Sequence, residues 1–278
     1  MKKIGFVDYY ISEWHANNYP AWIKEISEKK GLDMCLAYCY AEVDTSPVDG
    51  VTTDAWCAKY GVERCYTIDE LCEKSDYIVI LAPSNPETHL AYAGAVLKYG
   101  KPTYIDKTFA PDYKTAKEIF EIGKRYNTPF FSSSALRYAE ELKGIDAEQI
   151  IVTGSGRIFS EYFIHLAEMV VSKLGVGITG VRAEAHGDSW VVTAEYPDNR
   201  RAVMLWGPGL PYTAHIACKE KAVYTRISSD FFQGLITDML NFFNTGERSF
   251  ASAETLEVIK LRELAIRASE LPGEYVKA

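Results

Sequence analysis

The stretch Gly100-Lys-Pro-Thr-Tyr-Ile-Asp-Lys-Thr-Phe-Ala110 decides how this chain is read. Its centre, from Pro102 to Ile105, is a short apolar run that ends abruptly in two opposite charges, Asp106 and Lys107. Strands of an α/β sheet are covered on both faces and read as unbroken apolar runs, and ligands gather outside their carboxyl ends. A lysine at such an end points at a ligand or at solvent. Lys107 is therefore the first candidate for chemistry.

Working outward, the flanking sequence alternates strand and helix. Lys3 to Val7, Met34 to Tyr40, Tyr77 to Leu81 and Thr128 to Ser133 read as further strands. Between them a helix is expected from Pro20 to Lys30, stopped by Gly31, and a short one from Asp54 to Tyr60, stopped by Gly61. Thr67-Ile-Asp-Glu70 has the spacing of a capping box. Asn85 and Pro86 are expected as N-cap and first residue of a helix running to Tyr99, and another spans about 112–126. Repeated βα units with short connections imply a doubly wound parallel sheet.

Past Ala135 the pattern changes. A helix over 161–174 is followed by expected strands at 180–185, 190–195, 201–206 and 212–226, with Pro197-Asp-Asn199 as a hairpin turn. Amphipathic helices over 231–244 and 254–271 close the chain. This predicts a Rossmann-like domain at 1–130 and a smaller α+β domain at 131–278, the latter with a mixed or antiparallel sheet. Its open face is a candidate surface for a homo-oligomer.

The composition narrows the function. The 278 residues are 47% apolar and 24% charged and contain no run of eighteen apolar residues, so no membrane span is expected. A net charge of −8 argues against nucleic acid as a partner and leaves a small-molecule substrate as the expectation. Six cysteines without a Cys-x-x-Cys pair read as reduced, packed thiols of a cytoplasmic protein.

Taken together, Leu81-Ala-Pro-Ser-Asn-Pro-Glu-Thr-His89, the lysine stretch ending at Lys107, and Glu161-Tyr-Phe-Ile-His165 resemble the Gfo/Idh/MocA oxidoreductases, the family of glucose-fructose oxidoreductase and inositol dehydrogenase. Asp106-Lys107 matches its Glu-Lys-Pro motif, and Glu161 and His165 match its Asp-x-Gly-x-His motif. The order of motifs covers nearly the whole chain. The resemblance implies NAD or NADP as cofactor and a sugar, polyol or related carbohydrate as substrate. It assigns catalysis to Lys107, His165 and Glu161, with His165 taking the hydroxyl proton while Lys107 holds the oxygen. The cofactor would lie along Asp8, Tyr9, Tyr10, Ser12, Glu42, Ala82, Pro83, Asn85, His89 and Asp106.

Independently of that resemblance, Glu161, His165 and Glu168 are spaced four and three apart, on one helical face. Glu161 and His165 also have metal-ligand spacing, but two such residues do not make up a ligand set, so no metal is expected. Glu42 and Asp44 both follow the second strand, where an acid takes ribose hydroxyls, and the residues leave open which does so. Tyr9, Tyr10, Trp14, His15, Asn17, Asn18 and Tyr19 read as a first loop of rings and amides suited to a sugar-like ligand, or as core.

The departures from the family are specific. Where it has Gly-x-Gly-x-x-Gly after the first strand, this chain has Asp8-Tyr-Tyr10-Ile-Ser-Glu13. Thr108 replaces a proline and Glu161 an aspartate. A dinucleotide is therefore expected in a displaced, weakened pose beside residues 8–13. Two further readings stand beside the oxidoreductase: a non-catalytic or regulatory protein that has lost the nucleotide, and a lyase or isomerase using the same acid/base pair.

Overall fold

In a computed structural model, residues 1–145, 147–219 and 221–278 are described, and they divide into two compact units. The first comprises 1–133 and 235–249, the second 134–234 and 250–278.

The first unit alternates β1 (Lys2–Asp8), α1 (Trp14–Lys30), β2 (Met34–Ala41), α2 (Thr53–Tyr60), β3 (Glu63–Arg64), α3 (Ile68–Lys74), β4 (Tyr77–Ile80), α4 (His89–Leu97), β5 (Thr103–Ile105), α5 (Tyr113–Arg125) and β6 (Phe130–Phe131). The strands form one parallel sheet ordered β3-β2-β1-β4-β5-β6. The order reverses between β1 and β4. In open α/β sheets that reversal opens a crevice at the carboxyl ends, here at Asp8 and Ala82. Ile4, Phe6, Val7, Ile78, Val79, Ile80, Tyr104 and Ile105 are fully buried, as a sheet covered on both faces requires. A Cβ on Gly5 would lie 2.4 Å from Ser75 Oγ and 2.7 Å from Leu71 Cδ2, so this glycine is what lets α3 lie against β1.

Several local signals act as expected. Thr67 Oγ1 accepts the Glu70 amide (3.0 Å), Asp112 caps α5 through the Thr115 amide (2.7 Å), and Gly31 and Gly61 take left-handed φ of 66° and 67° at helix ends. The Glu70 carboxylate reaches the Tyr66 amide (2.9 Å), one residue earlier than a full capping box would have it.

Three expectations are corrected here. Helix α1 begins at Trp14, six residues before Pro20, so Trp14, His15, Asn17, Asn18 and Tyr19 are helical and do not form a loop. Pro20 sits inside the helix, where its missing N–H removes one hydrogen bond. Asn85 makes no capping bond: Pro86–Thr88 is a 3₁₀ turn, α4 starts only at His89, and the Asn85 amide donates to Glu87 (3.2 Å). Finally, the segment 235–249 belongs with the first unit. Its helix α7 (Phe231–Thr245) stacks Phe243 on Tyr77, with ring centroids 4.8 Å apart, and sets Phe242 edge-on to Phe131.

The second unit contains β7 (Gln149–Gly154), α6 (Phe159–Leu174), β8 (Gly180–His186), β9 (Ser189–Glu195), β10 (Arg201–Trp206), β11 (Thr213–Cys218), β12 (Lys221–Arg226), α8 (Ser252–Glu270) and β13 (Tyr275–Lys277). Its sheet, ordered β12-β11-β7-β10-β9-β8-β13, is antiparallel except for β7 with β10, and so is mixed. The long strand expected over 212–226 is two strands, β11 and β12, paired antiparallel; Glu220 within it lies outside the described residues. β7 and β13 carried too little alternation to be read beforehand. Helix α6 buries Phe163, Ile164, Leu166, Ala167, Met169, Val170 and Val171. No helix among the described residues is long and apolar enough to cross a membrane.

Candidate active site

The buried acidic residues of the first unit, Asp8, Glu13 and Asp106, lie at the carboxyl ends of β1 and β5 and at the start of α1. Asp8, 1% exposed, ends β1. Its Oδ1 accepts the amides of Tyr9 (2.7 Å) and Ala82 (3.0 Å), so this carboxylate bridges the two strand ends at the point where the strand order reverses. Ala82 takes a left-handed φ of 57°, a conformation that costs a non-glycine residue about 1 kcal/mol and is held here by that bond. Asp8 Oδ2 is buried without a hydrogen-bond partner. Burial, and then the nearby Glu13 charge, push the Asp8 carboxyl well above its ordinary range against the pull of the two amides.

Glu13 is the N-cap of α1. Its carboxylate accepts the His15 amide (2.8 Å) and the Ala16 amide (2.5 Å), which are orphan donors of the first helical turn. Burial raises its pKa, while His15 and the two amides act the other way. The preceding residue is tied down as well. Ser12 Oγ donates to Asp49 (2.7 Å), and the Ser12 carbonyl accepts the Ser46 hydroxyl (2.7 Å). Tyr9 and Tyr10 flank the loop with ring centroids 6.0 Å apart.

His15 faces Asp106. Its Nδ1 bonds the fully buried Asp106 carboxylate, and its ring stacks on Tyr19 with centroids 5.2 Å apart. Asp106 also accepts the Tyr104 hydroxyl (3.1 Å) and the Lys107 amide (2.8 Å). Burial works to raise the Asp106 pKa, but the charge and hydrogen bond of His15, with Lys107 behind them, hold it below the ordinary value. Lys107 follows on the same chain end, half-buried, with a cis peptide bond to Thr108.

The remaining residues proposed for the cofactor are scattered around this centre. Glu42, exposed after β2, accepts the Tyr92 hydroxyl (2.7 Å). Asp44 is paired with Arg64 (2.8 Å). Pro83 is buried and Asn85 half-buried in the turn after β4. His89, expected at the cofactor mouth, is instead fully buried. Its Nδ1 lies 3.0 Å from the Phe109 carbonyl and its Nε2 2.5 Å from the Leu81 carbonyl; burial lowers its pKa, and the neutral ring donates to one of the two. It staples two loops together.

In the second unit, α6 carries Glu161, His165 and Glu168 on successive turns, but they do not act as one stripe. Ser134 Oγ meets His165 Nδ1 (2.7 Å). Glu168, 3% exposed, turns to Arg137 and to the Ser134 amide (3.0 Å). Arg137 also pairs with Glu254 (2.8 Å) and covers the Phe250 ring at 3.9 Å. Glu161 is half-buried, and its charge supports the Arg262 guanidinium, whose pKa burial lowers. The rings of Tyr162 and Tyr212 flank His165 at 5.9 and 6.2 Å, and burial pushes the Tyr212 hydroxyl up to about 12. If Nδ1 donates to Ser134, Nε2 is the nitrogen able to accept a proton. Among the described residues no group of three or more His, Cys, Asp or Glu is placed to hold a metal ion.

Sequence reasoning missed three of these features. The His15–Asp106 pair joins residues 91 positions apart and leaves no local signal. The Ser134–His165 contact likewise spans 31 positions. Glu13 was legible only as a misplaced carboxylate, because glutamate is uncommon as an N-cap and Pro20 offered a better helix start.

No known family's sequence profile matches the chain, and no curated protein matches it. Solved structures do. GenD2 from gentamicin A biosynthesis, in complex with NAD, superposes with a TM-score of 0.80 over 100% of this chain and 97% of its own, at 13% identity. The chain shares the fold of this structure. An NAD binding oxidoreductase from Klebsiella pneumoniae gives a TM-score of 0.78 at 13% identity, covering 99% of this chain and 98% of that one. UDP-N-acetylglucosamine 3-dehydrogenase GnnA from Acidithiobacillus ferrooxidans gives 0.77 at 13% identity, covering 96% and 98%.

Proposed function

We propose that this chain is an oxidoreductase that uses NAD or NADP and acts on a hydroxyl of a sugar, polyol or related small carbohydrate. The observation that carries the reading is Lys107 at the carboxyl end of β5, in a sheet whose strand order is that of dinucleotide-binding folds. Support comes from similarity over nearly the full length to GenD2 in complex with NAD and to a nucleotide-sugar dehydrogenase. The first unit takes the cofactor's part and the second the substrate's.

Each catalytic role follows from the local chemistry. Lys107 offers an ammonium that stabilises the charge developing on a substrate oxygen. His165, oriented through Nδ1 by Ser134, accepts a hydroxyl proton at Nε2. Tyr162 and Tyr212 supply rings on which a sugar-like ligand packs. Glu161 adds a negative charge one turn from His165, favouring its protonated form once the proton has moved.

The residues fit a dinucleotide unevenly. Exposed Glu42 at the end of β2 suits ribose hydroxyls. The first turn of α1 does not suit a pyrophosphate as folded, since Glu13 already takes its amides and Asp8 takes those of Tyr9 and Ala82. When bound, NAD or NADP supplies the hydride acceptor.

The Glu13 cap is also the observation that favours the second reading, a protein that keeps the fold without the nucleotide; a lyase or isomerase would use Lys107 and His165 alone. The test is titration with NADH and NADPH followed by nicotinamide fluorescence, with turnover assayed on a panel of polyols and nucleotide sugars. Lys107→Ala and His165→Ala are each expected to lower kcat at least about 100-fold with the fold intact. Full activity in both variants removes their assignment. No turnover on any sugar or polyol, with nucleotide or without, removes the oxidoreductase.

Free thiols at all six cysteines accord with a cytoplasmic protein. A second copy is proposed to cover the open face of the second sheet, where Ile151, Val223 and Tyr224 are 46%, 41% and 61% exposed.

A further inference from the structure

We infer that Glu13 is a built-in occupant of the phosphate position of this sheet, so that a dinucleotide and the Glu13 carboxylate compete for the same two amides. The inference deepens the oxidoreductase reading and rests on it for the choice of ligand.

The argument starts from what a phosphate needs. An anion at the end of β1 is held by unpaired amides of the first helical turn and by the positive end of the helix dipole. In this chain the amides of His15 and Ala16 are directed at Glu13 at 2.8 and 2.5 Å. Both oxygens of the carboxylate are used, one on each amide. The anion-binding capacity of the helix start is thus met from within.

The cap is also braced from both sides. Before it, Ser12 is tied through its hydroxyl to Asp49 and through its carbonyl to Ser46. After it, His15 is anchored to buried Asp106, and Asn17 accepts the Trp56 indole N–H (2.9 Å) and, through its carbonyl, the Tyr60 hydroxyl (2.9 Å). A glycine-rich turn has no side chains for such ties.

A second, independent observation comes from Asp8. It is 1% exposed, bridges β1 and the residue after β4, and keeps one oxygen buried without a partner. A pyrophosphate entering here would meet the Glu13 carboxylate, whose like charge at close range opposes binding, beside an Asp8 carboxyl group that bridges two strand ends and leaves no free amide between them. The position therefore opens to a phosphate only when Glu13 leaves the amides or loses its charge.

The test uses the full chain and equilibrium binding, so it does not depend on catalysis. ADP-ribose and NAD+ are titrated calorimetrically into wild type, Glu13→Gln and Glu13→Gly. Glycine exposes both amides and glutamine removes only the charge. The expected order of affinity is Glu13→Gly, then Glu13→Gln, then wild type, with at least a tenfold gain from wild type to glycine. Should Glu13→Gly fail to fold, judged by circular dichroism, the glutamine variant alone decides, with a gain of at least threefold expected. In wild type, nucleotide binding should shift the amide resonances of both His15 and Ala16. Variants that bind no more tightly than wild type, including the case in which none binds, overturn the inference, as does nucleotide binding that leaves both amides unshifted. Tighter binding by the variants without turnover of any sugar or polyol upholds the competition and removes only the oxidoreductase reading.

Discussion

Replacing Arg137 with methionine should cost the second unit about 4 kcal/mol at pH 7. The side chains of Arg137 and Glu168 are 9% and 4% exposed, whereas Glu254, the other partner, is 23% exposed and can turn to water. Methionine keeps the apolar stem but strands the Glu168 carboxylate, whose remaining partner is the Ser134 amide. Removing one partner of a buried pair costs about 3–5 kcal/mol. Loss of the contact with the Phe250 ring adds about 0.5 kcal/mol. Guanidinium denaturation followed by circular dichroism measures this, and at pH 7 the midpoint of thermal unfolding should drop by about 10 °C. Pairing the change with Glu168→Gln should recover most of the loss, a coupling of about 2–3 kcal/mol. A deficit below about 1 kcal/mol at pH 7 or strict additivity with Glu168→Gln would refute the reasoning. The same network ends on Ser134 and His165, so the methionine variant should also lower kcat in any reaction that uses His165.

The remaining predictions concern acid stability and assembly. The Glu141 carboxylate faces the amides and hydroxyls of Ser228 and Ser229; burial would raise its pKa, but these donors bring it from 4.5 to about 2. A depressed carboxyl stabilises above its unfolded pKa and loses that contribution as pH falls through the folded one, here between about 4.5 and 2. Glu141→Gln should therefore cost about 1–2 kcal/mol at pH 7, after allowance for solvent screening, and almost nothing near pH 2; a deficit constant across that range in urea melts refutes it. For assembly, sedimentation should show a concentration-dependent dimer or larger species that Tyr224→Glu weakens, and a monomer at all concentrations excludes the shared sheet face.

What the sequence determined by itself was whatever is settled within about ten residues. Apolar runs set β1, β2, β4 and β5, and the caps at Thr67 and Asp112 and the stops at Gly31 and Gly61 punctuate the helices, because each is a bond or a φ angle between near neighbours. The same local logic placed Lys107 at a strand end. Contacts made over long separations were decided only by the tertiary structure. Helix α1 is capped by Glu13 and starts at Trp14, not at Pro20, because residues 12 to 17 are tied to Ser46, Asp49, Trp56, Tyr60 and Asp106, and those bonds outweigh the proline signal. The helix face of Glu161, His165 and Glu168 was right in its spacing, yet Ser134 and Arg137 divided it, giving His165 a hydroxyl and Glu168 a buried cation. Segment 235–249 joined the first unit for the same reason: Phe242 and Phe243 find their rings in Phe131 and Tyr77, more than a hundred residues away, where no local pattern records the choice.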